Sequence, residues 1–213
     1  MTSAPEQAGG LAPTYRIIAA TEALRIGNDQ NPATLSRKLL IRAIEPTDSV
    51  HYGFDPRVQK IRRVRRDFGI SNSKLYAVDK AQHSLQLCLP EVLAPGEQTA
   101  IGYTATLGHL QSPTPEWLVQ ADKHGVGLLT LRLYFMSDVL PQNVYWTEWE
   151  PHAASGVAKP KPLQEQRVHL ESAPEGYTMQ TVRELGAITP HRTLGFRWEW
   201  GPPGYVPAAT QHG

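Results

Sequence analysis

One cysteine, Cys88, stands in 213 residues, so no internal disulfide can form. A chain of this length builds its core without one, which fits a reducing compartment. Charge of either sign is not in excess: 21 basic side chains meet 20 acidic ones, a net of +1. Nothing global therefore draws the chain to nucleic acid or to an anionic membrane. No apolar run approaches the length that spans a bilayer. The opening MTSAPEQAGGLAP has neither the basic nor the apolar segment of a signal peptide. A soluble, cytoplasmic protein is the expectation.

Motifs for chemistry are missing too. There is no G-x-S-x-G elbow, no P-loop and no G-x-G-x-x-G. Gly201-Pro202-Pro203-Gly204 is too proline-rich to offer a row of backbone donors to phosphate. The eight histidines (51, 83, 109, 124, 152, 169, 191 and 212) include no i, i+2 or i, i+4 pair, so a local metal signature is absent. Glu148 and Glu150 are two apart, and with nothing convergent beside them they read as a solvated face. Cys88, between Leu87 and Leu89, reads as a small apolar residue in a strand rather than a reactive thiol. No cofactor, metal or catalytic residue is expected.

What the chain does have is period-two alternation, and its organising stretch is Ser84 to Leu107. Leu85, Leu87 and Leu89 share one face, and Pro90 stops the ladder. Ala94-Pro95-Gly96-Glu97 supplies the turn, and Thr99, Ile101, Tyr103, Ala105 and Leu107 resume on one face. Such a unit can build one wall of a sandwich. This strand–turn–strand syntax resembles the accessory β-sandwich domains attached to many bacterial enzymes and regulators. The likeness covers about 25 residues and concerns fold, which does not carry function.

Elsewhere the same alternation recurs. Leu24 and Ile26 alternate with Ala23 and Arg25, and a Gly27-to-Pro32 turn follows. Arg37, Leu39, Ile41 and Ala43 then face one way, opposite Lys38, Leu40 and Arg42, which makes a hairpin. Val50 to Phe54 and Leu75 to Val78 read as short strands. Residues 57–68 fit a helix face through Val58, Ile61, Val64 and Phe68, but their strand-like neighbours favour a strand. Gly108 to His124 reads as a loop with at most one helical turn. Gly125 to Met136 is the clearest strand, apolar on much of both faces and so central to a sheet. Val144 to Glu150, Val168 to Leu170, Tyr177 to Leu185 and Leu194 to Trp200 complete the series. In the last, Trp198 and Trp200 share the face of Leu194 and Phe196 and belong to the core.

The fold expected is all-β, a two-sheet antiparallel β-sandwich of roughly ten to twelve short strands with long loops and little helix. A barrel is the alternative, since strand count does not decide closure. Residues 1–13 and 202–213 are flexible tails. Residues 14–201 form one β-sandwich domain, with an exposed loop at about 151–164.

Two constellations stand out. Lys60, Arg62, Arg63, Arg65 and Arg66 concentrate positive charge; its plain reading is an edge strand guarded against aggregation, and its functional one an acidic ligand or partner. Tyr145, Trp146 and Trp149 form the second, with Trp146 on one strand face and Tyr145 and Trp149 on the other; burial on both sides is the plain alternative to an interface. Together Lys60, Arg62, Arg63, Arg65, Arg66, Tyr145 and Trp149 are the candidate partner-binding residues.

The expected function is a non-enzymatic binding or structural and regulatory subunit that contacts a protein partner, with a larger assembly or self-association through a sheet edge as its setting. The first alternative is a hydrolase or lyase whose site is assembled from distant His and Asp or Glu residues. A second is an electrostatic nucleic-acid binder through residues 60–66.

Overall fold

In a computed structural model of the chain, residues 14–27, 32–54, 61–77, 83–108, 116–121, 123–136, 140–149, 162–173 and 179–201 are described. Both terminal tails, the middle of the 27–32 turn, Lys60, Glu150 and the loop residues 151–161 lie outside them.

Alternating apolar positions become strands wherever one face finds a layer to cover it. The described residues hold fourteen strands and no helix: β1 Tyr15–Ile26, β2 Thr34–Ala43, β3 Thr47–Phe54, β4 Ile61–Phe68, β5 Asn72–Ala77, β6 His83–Leu93, β7 Gln98–Leu107, β8 Glu116–Gln120, β9 Val126–Phe135, β10 Pro141–Trp149, β11 Pro162–Arg167, β12 Glu171–Ser172, β13 Met179–Leu185 and β14 Thr193–Trp200. They form three sheets rather than two. The largest runs β12-β13-β9-β1-β2-β7-β4, a second runs β11-β10-β14-β8, and a third runs β3-β6-β5.

The architecture is sandwich-like, with one continuous core shared by all three sheets. Leu24, Leu35, Leu39, Ile101, Leu129, Leu131 and Leu133 supply the inner face of the seven-stranded sheet, all buried. The four-stranded sheet meets it where Trp198 packs edge-on against Phe135, ring centroids 5.8 Å apart. The three-stranded sheet meets it where Tyr52 lies 6.4 Å from Tyr103. Each leucine-sized side chain fully buried at these seams contributes about 1.5–3 kcal/mol.

The Ser84–Leu107 stretch has the expected strands and turn, but it does not build a single wall. β6 belongs to the three-stranded sheet and β7 to the seven-stranded one, so the turn hands the chain between layers. Pro95 and Gly96 hold its two central positions, with Gly96 at φ 91° and Glu97 N donating to Ala94 O at 3.0 Å. Gly96 N also donates to Ala43 O at 2.9 Å, which ties the turn to the end of β2. Nor does Pro90 end β6, which continues to Leu93. The pairing with β3 skips from Ser49↔Cys88 to Thr47↔Leu93, so proline sits at an irregularity where no ladder donor is needed.

Other elements follow the alternation more closely. β1 and β2 pair antiparallel as the hairpin implied. Residues 61–68 are strand, not helix. β9 is central, between β1 and β13, and it pairs parallel with β1. The loop expected over 108–124 contains a strand, β8, because Trp117 is buried against Phe196 with ring centroids 6.1 Å apart. Val168 to Leu170 is not strand; the short strand lies just beyond, at β12.

Candidate partner-binding surface

Directly paired residues of neighbouring strands point to the same face, so register assigns the two faces of the seven-stranded sheet. One face is the core. The other carries three rows across β4, β7, β2, β1 and β9. The first is Phe68, Gly102, Lys38, Thr21 and Thr130. The second is Arg65, Thr104, Ser36, Ala23 and Arg132, and the third is Arg63, Thr106, Thr34, Arg25 and Tyr134.

Small residues and hydroxyls fill the middle of the second row, whereas Lys38 stands at the centre of the first and Arg25 within the third. Gly102 has no side chain, and Phe68 lies over it in the space a β-carbon would take. Long cations stand around them. Lys38, Arg63 and Arg132 are exposed and make no ion pair among the described residues. Two further arginines are held in place. Arg25 lies 5.1 Å from the Tyr134 ring centre and donates to Ser36 Oγ at 3.2 Å. Ser36 Oγ and Thr104 Oγ1 are 3.1 Å apart, and Thr104 donates to Asp67 at 2.8 Å. Arg65 Nε donates to the other oxygen of Asp67 at 3.0 Å. A hydrogen-bonded chain thus crosses the sheet from Arg25 to Arg65.

The arginine run itself occupies β4, which among the described residues ends the sheet and pairs with β7 alone. Arg62, Arg63, Arg65 and Arg66 are all exposed, and register shifts interrupt the strand at both ends. Arg66 donates to the backbone oxygen of Ser71. Lys60 lies outside the described residues.

Tyr145 and Trp149 lie elsewhere, on β10 of the four-stranded sheet, so the structure places the two constellations on different sheets. Tyr145 is covered by Arg197, whose guanidinium stands 4.7 Å from the ring centre. Arg197 grips both oxygens of Glu165, at 2.7 and 3.2 Å. That hydrogen bond, together with the Glu165 and Glu199 charges, raises its pKa against the cost of burial. Trp149 is half-buried, and its ring nitrogen is buried without a hydrogen bond. Trp146, on the opposite face, is core. Glu148 pairs with Arg192 and accepts from Trp146 Nε1 at 3.3 Å.

Among the described residues no three His, Cys, Asp or Glu side chains gather as a metal site. His51, on β3, is embedded in a surface network: Tyr76 Oη lies 3.2 Å from its Nδ1, and Ser49 Oγ 3.5 Å from its Nε2. Ser49 donates to Asp48 at 2.8 Å, so its proton points at the carboxylate and not at the imidazole. Cys88 is half-buried and pairs with Ser49 and Asn72 across the strands.

One polar cluster lies inside. Glu22 on β1, Arg37 on β2 and Tyr103 on β7 form a single cross-strand row on the core face. Arg37 Nε donates to Glu22 Oε1 at 2.7 Å, and its Nη2 reaches the same oxygen at 2.5 Å. The guanidinium stacks 4.4 Å from the Tyr52 ring centre of the three-stranded sheet. Burial alone would lower the Arg37 pKa, but the Glu22 carboxylate and the two tyrosines raise it overall. Burial also raises the Tyr103 hydroxyl, and Arg37 offsets part of that rise. The signal was present in the sequence, since Arg37 shares its face with Leu39 and Ile41.

No family model matches the chain, and no curated protein matches it. Solved structures do. A candidate protease from Parabacteroides distasonis ATCC 8503 aligns over 87% of this chain and 40% of its own, with 10% identity and a TM-score of 0.51. An M1 zinc metallopeptidase from Deinococcus radiodurans aligns over 87% and 42%, with 12% identity and a TM-score of 0.45. A mutant of a two-domain M1 zinc metallopeptidase bound to L-arginine gives 87%, 42%, 11% and 0.47. The likeness to the candidate protease is one of fold, and the chain spans about two fifths of the length of these structures.

Proposed function

We propose that the chain is a non-enzymatic β-sandwich subunit that binds a protein partner within a larger assembly. The observation that carries this reading is the outer face of the seven-stranded sheet. It presents Lys38, Arg63, Arg65 and Arg132 around a floor of small residues, with Leu128 60% exposed and Val182 and Phe68 also exposed beside them. Cations mixed with solvent-facing apolar side chains mark a surface made for a partner more than for water. The candidate protease carries the same fold as 40% of a longer chain, which supports reading the fold as one component among others.

The test is affinity capture of the tagged full chain from its native lysate, with a parallel nuclease-treated sample. A stoichiometric protein that survives nuclease and is lost with Arg63→Glu/Arg65→Glu is the expected result. Capture unaffected by that variant moves the contact off this face, and Trp149→Ala then asks whether the four-stranded sheet carries it. Loss of every partner on nuclease treatment, with binding that falls steeply as salt rises, replaces the protein reading with a nucleic-acid one through the β4 arginines.

A further inference from the structure

We propose that the outer face of the seven-stranded sheet seats an extended acidic peptide segment, lying across the strands from Arg65 on β4 to Arg132 on β9. The inference rests on the protein-partner reading and names the part of the partner that this surface would take.

The row Arg65, Thr104, Ser36, Ala23, Arg132 is unlike its neighbours in having a long cation at each end and only small residues between. Thr104 and Ser36 are half-buried and Ala23 is buried, so a segment rests on the hydroxyls and on Arg25, which bonds Ser36, while side chains at either end meet a guanidinium. Arg132 is exposed and makes no ion pair among the described residues. Arg65 is aimed by Asp67, which Thr104 holds in turn, so its position is set before anything binds. Lys38 and Arg63 flank the row and deepen the positive potential. Among the described residues the acidic groups on this face are Asp67, committed to Arg65 and Thr104, and Glu171 and Glu184 towards the β12–β13 edge.

Spacing sets the ligand. Five adjacent strands from β4 to β9 span four interstrand steps, about 19 Å, and an extended peptide rises about 3.3 Å per residue. Carboxylates that reach both ends are therefore about six residues apart. Guanidinium groups favour carboxylates by bidentate pairing.

Two other occupants fit less well. A single nucleic-acid strand wants a series of aromatic rings on which bases stack, but of the two rings in these rows Tyr134 is buried under Arg25, which leaves Phe68 alone. A strand added along β4 would meet a ladder broken by register shifts at both ends.

The test uses the full chain and a labelled peptide with two Asp-Glu pairs about six residues apart, separated by Ser and Gly. Its comparison is a peptide of the same composition with the four acidic residues contiguous, and a short oligothymidine serves as a third probe. Fluorescence anisotropy should show the spaced peptide binding at least about fivefold tighter than the contiguous one. Arg65→Glu and Arg132→Glu should each weaken it about tenfold or more. Arg167→Glu, on the four-stranded sheet, should leave it unchanged, and Arg132→Gln, with its melting temperature compared, separates lost binding from lost folding. Equal binding of the two peptides, indifference to Arg132, or preference for oligothymidine overturns the proposal. If the captured lysate partner is retained by Arg65→Glu and Arg132→Glu while the peptides fail to bind, the acidic-segment inference falls and the subunit reading stands. If no variant and no wild-type sample captures a protein, both fall.

Discussion

At Glu22 the protein holds a carboxylate that is 1% exposed, opposite a guanidinium that is barely more accessible. Arg37 spends two donors on one oxygen of Glu22, and the other oxygen accepts no hydrogen bond among the described residues. Removing one member leaves a buried charge without its counterpart. Glu22→Ala is expected to cost about 3–5 kcal/mol in urea unfolding, whereas Glu22→Leu with Arg37→Met should recover most of the loss. A double variant no more stable than Glu22→Ala would mean that the pair supplies more than mutual compensation. Tyr103, in the same row, gives a pH signature. Its folded-state pKa is raised, chiefly by burial. The unfolded chain therefore releases this proton first, and the stability is present below the ordinary tyrosine value of about 10 and is lost as pH rises beyond it. Urea midpoints taken across pH 9 to 11, about the ordinary value, should fall less in Tyr103→Phe than in wild type. Arg37 was readable as a charged residue on an apolar strand face. Its partner was not, because pairing a charge with its opposite needs the register between β1 and β2.

For single elements, alternation was a good guide where a strand buries one face. β2, β7, β9 and β14 each bury one alternating apolar row in the core, although Leu128 of β9 is exposed; Trp198 is fully buried as its spacing implied, and Trp200 is partly buried against the core. It failed for β8, whose five residues are too few to show a period among the surrounding prolines. Lys38 was placed on the second face of its strand by spacing alone, and the alternation of β9 likewise sets Arg132 opposite Leu129, Leu131 and Leu133. That those faces belong to one sheet depends on β1 standing between β2 and β9, which no local pattern encodes. β4 is where the plain and functional readings of the arginine run meet, since an edge guarded by charge is also a charged surface. If the guard matters, Arg63→Val/Arg65→Val should shift sedimentation toward dimers and higher species as concentration rises. Persistence of a single slow boundary would assign the guarding to the register shifts instead.

Across the whole molecule, the all-β class followed from many short alternating runs with frequent turns, but the number of layers did not. Two small sheets cover one large one, and a strand carries no mark of which sheet it will join. The β6–β7 stretch shows this most plainly, with a turn chemistry that was legible and a change of layer that was not. Nor does alternation reveal direction, and β1 and β9 run parallel. That pairing has a consequence in time. The strand that completes one side of β1 begins at Val126, so during synthesis the β1–β2 hairpin leaves the ribosome long before its neighbour exists. Until then one flank of Leu24 and Glu22 is open, and the nascent chain carries a sticky, half-built sheet. Folding dominated by such distant pairings is slow, and until β9 emerges the open flank of β1 is a surface that a chaperone would bind.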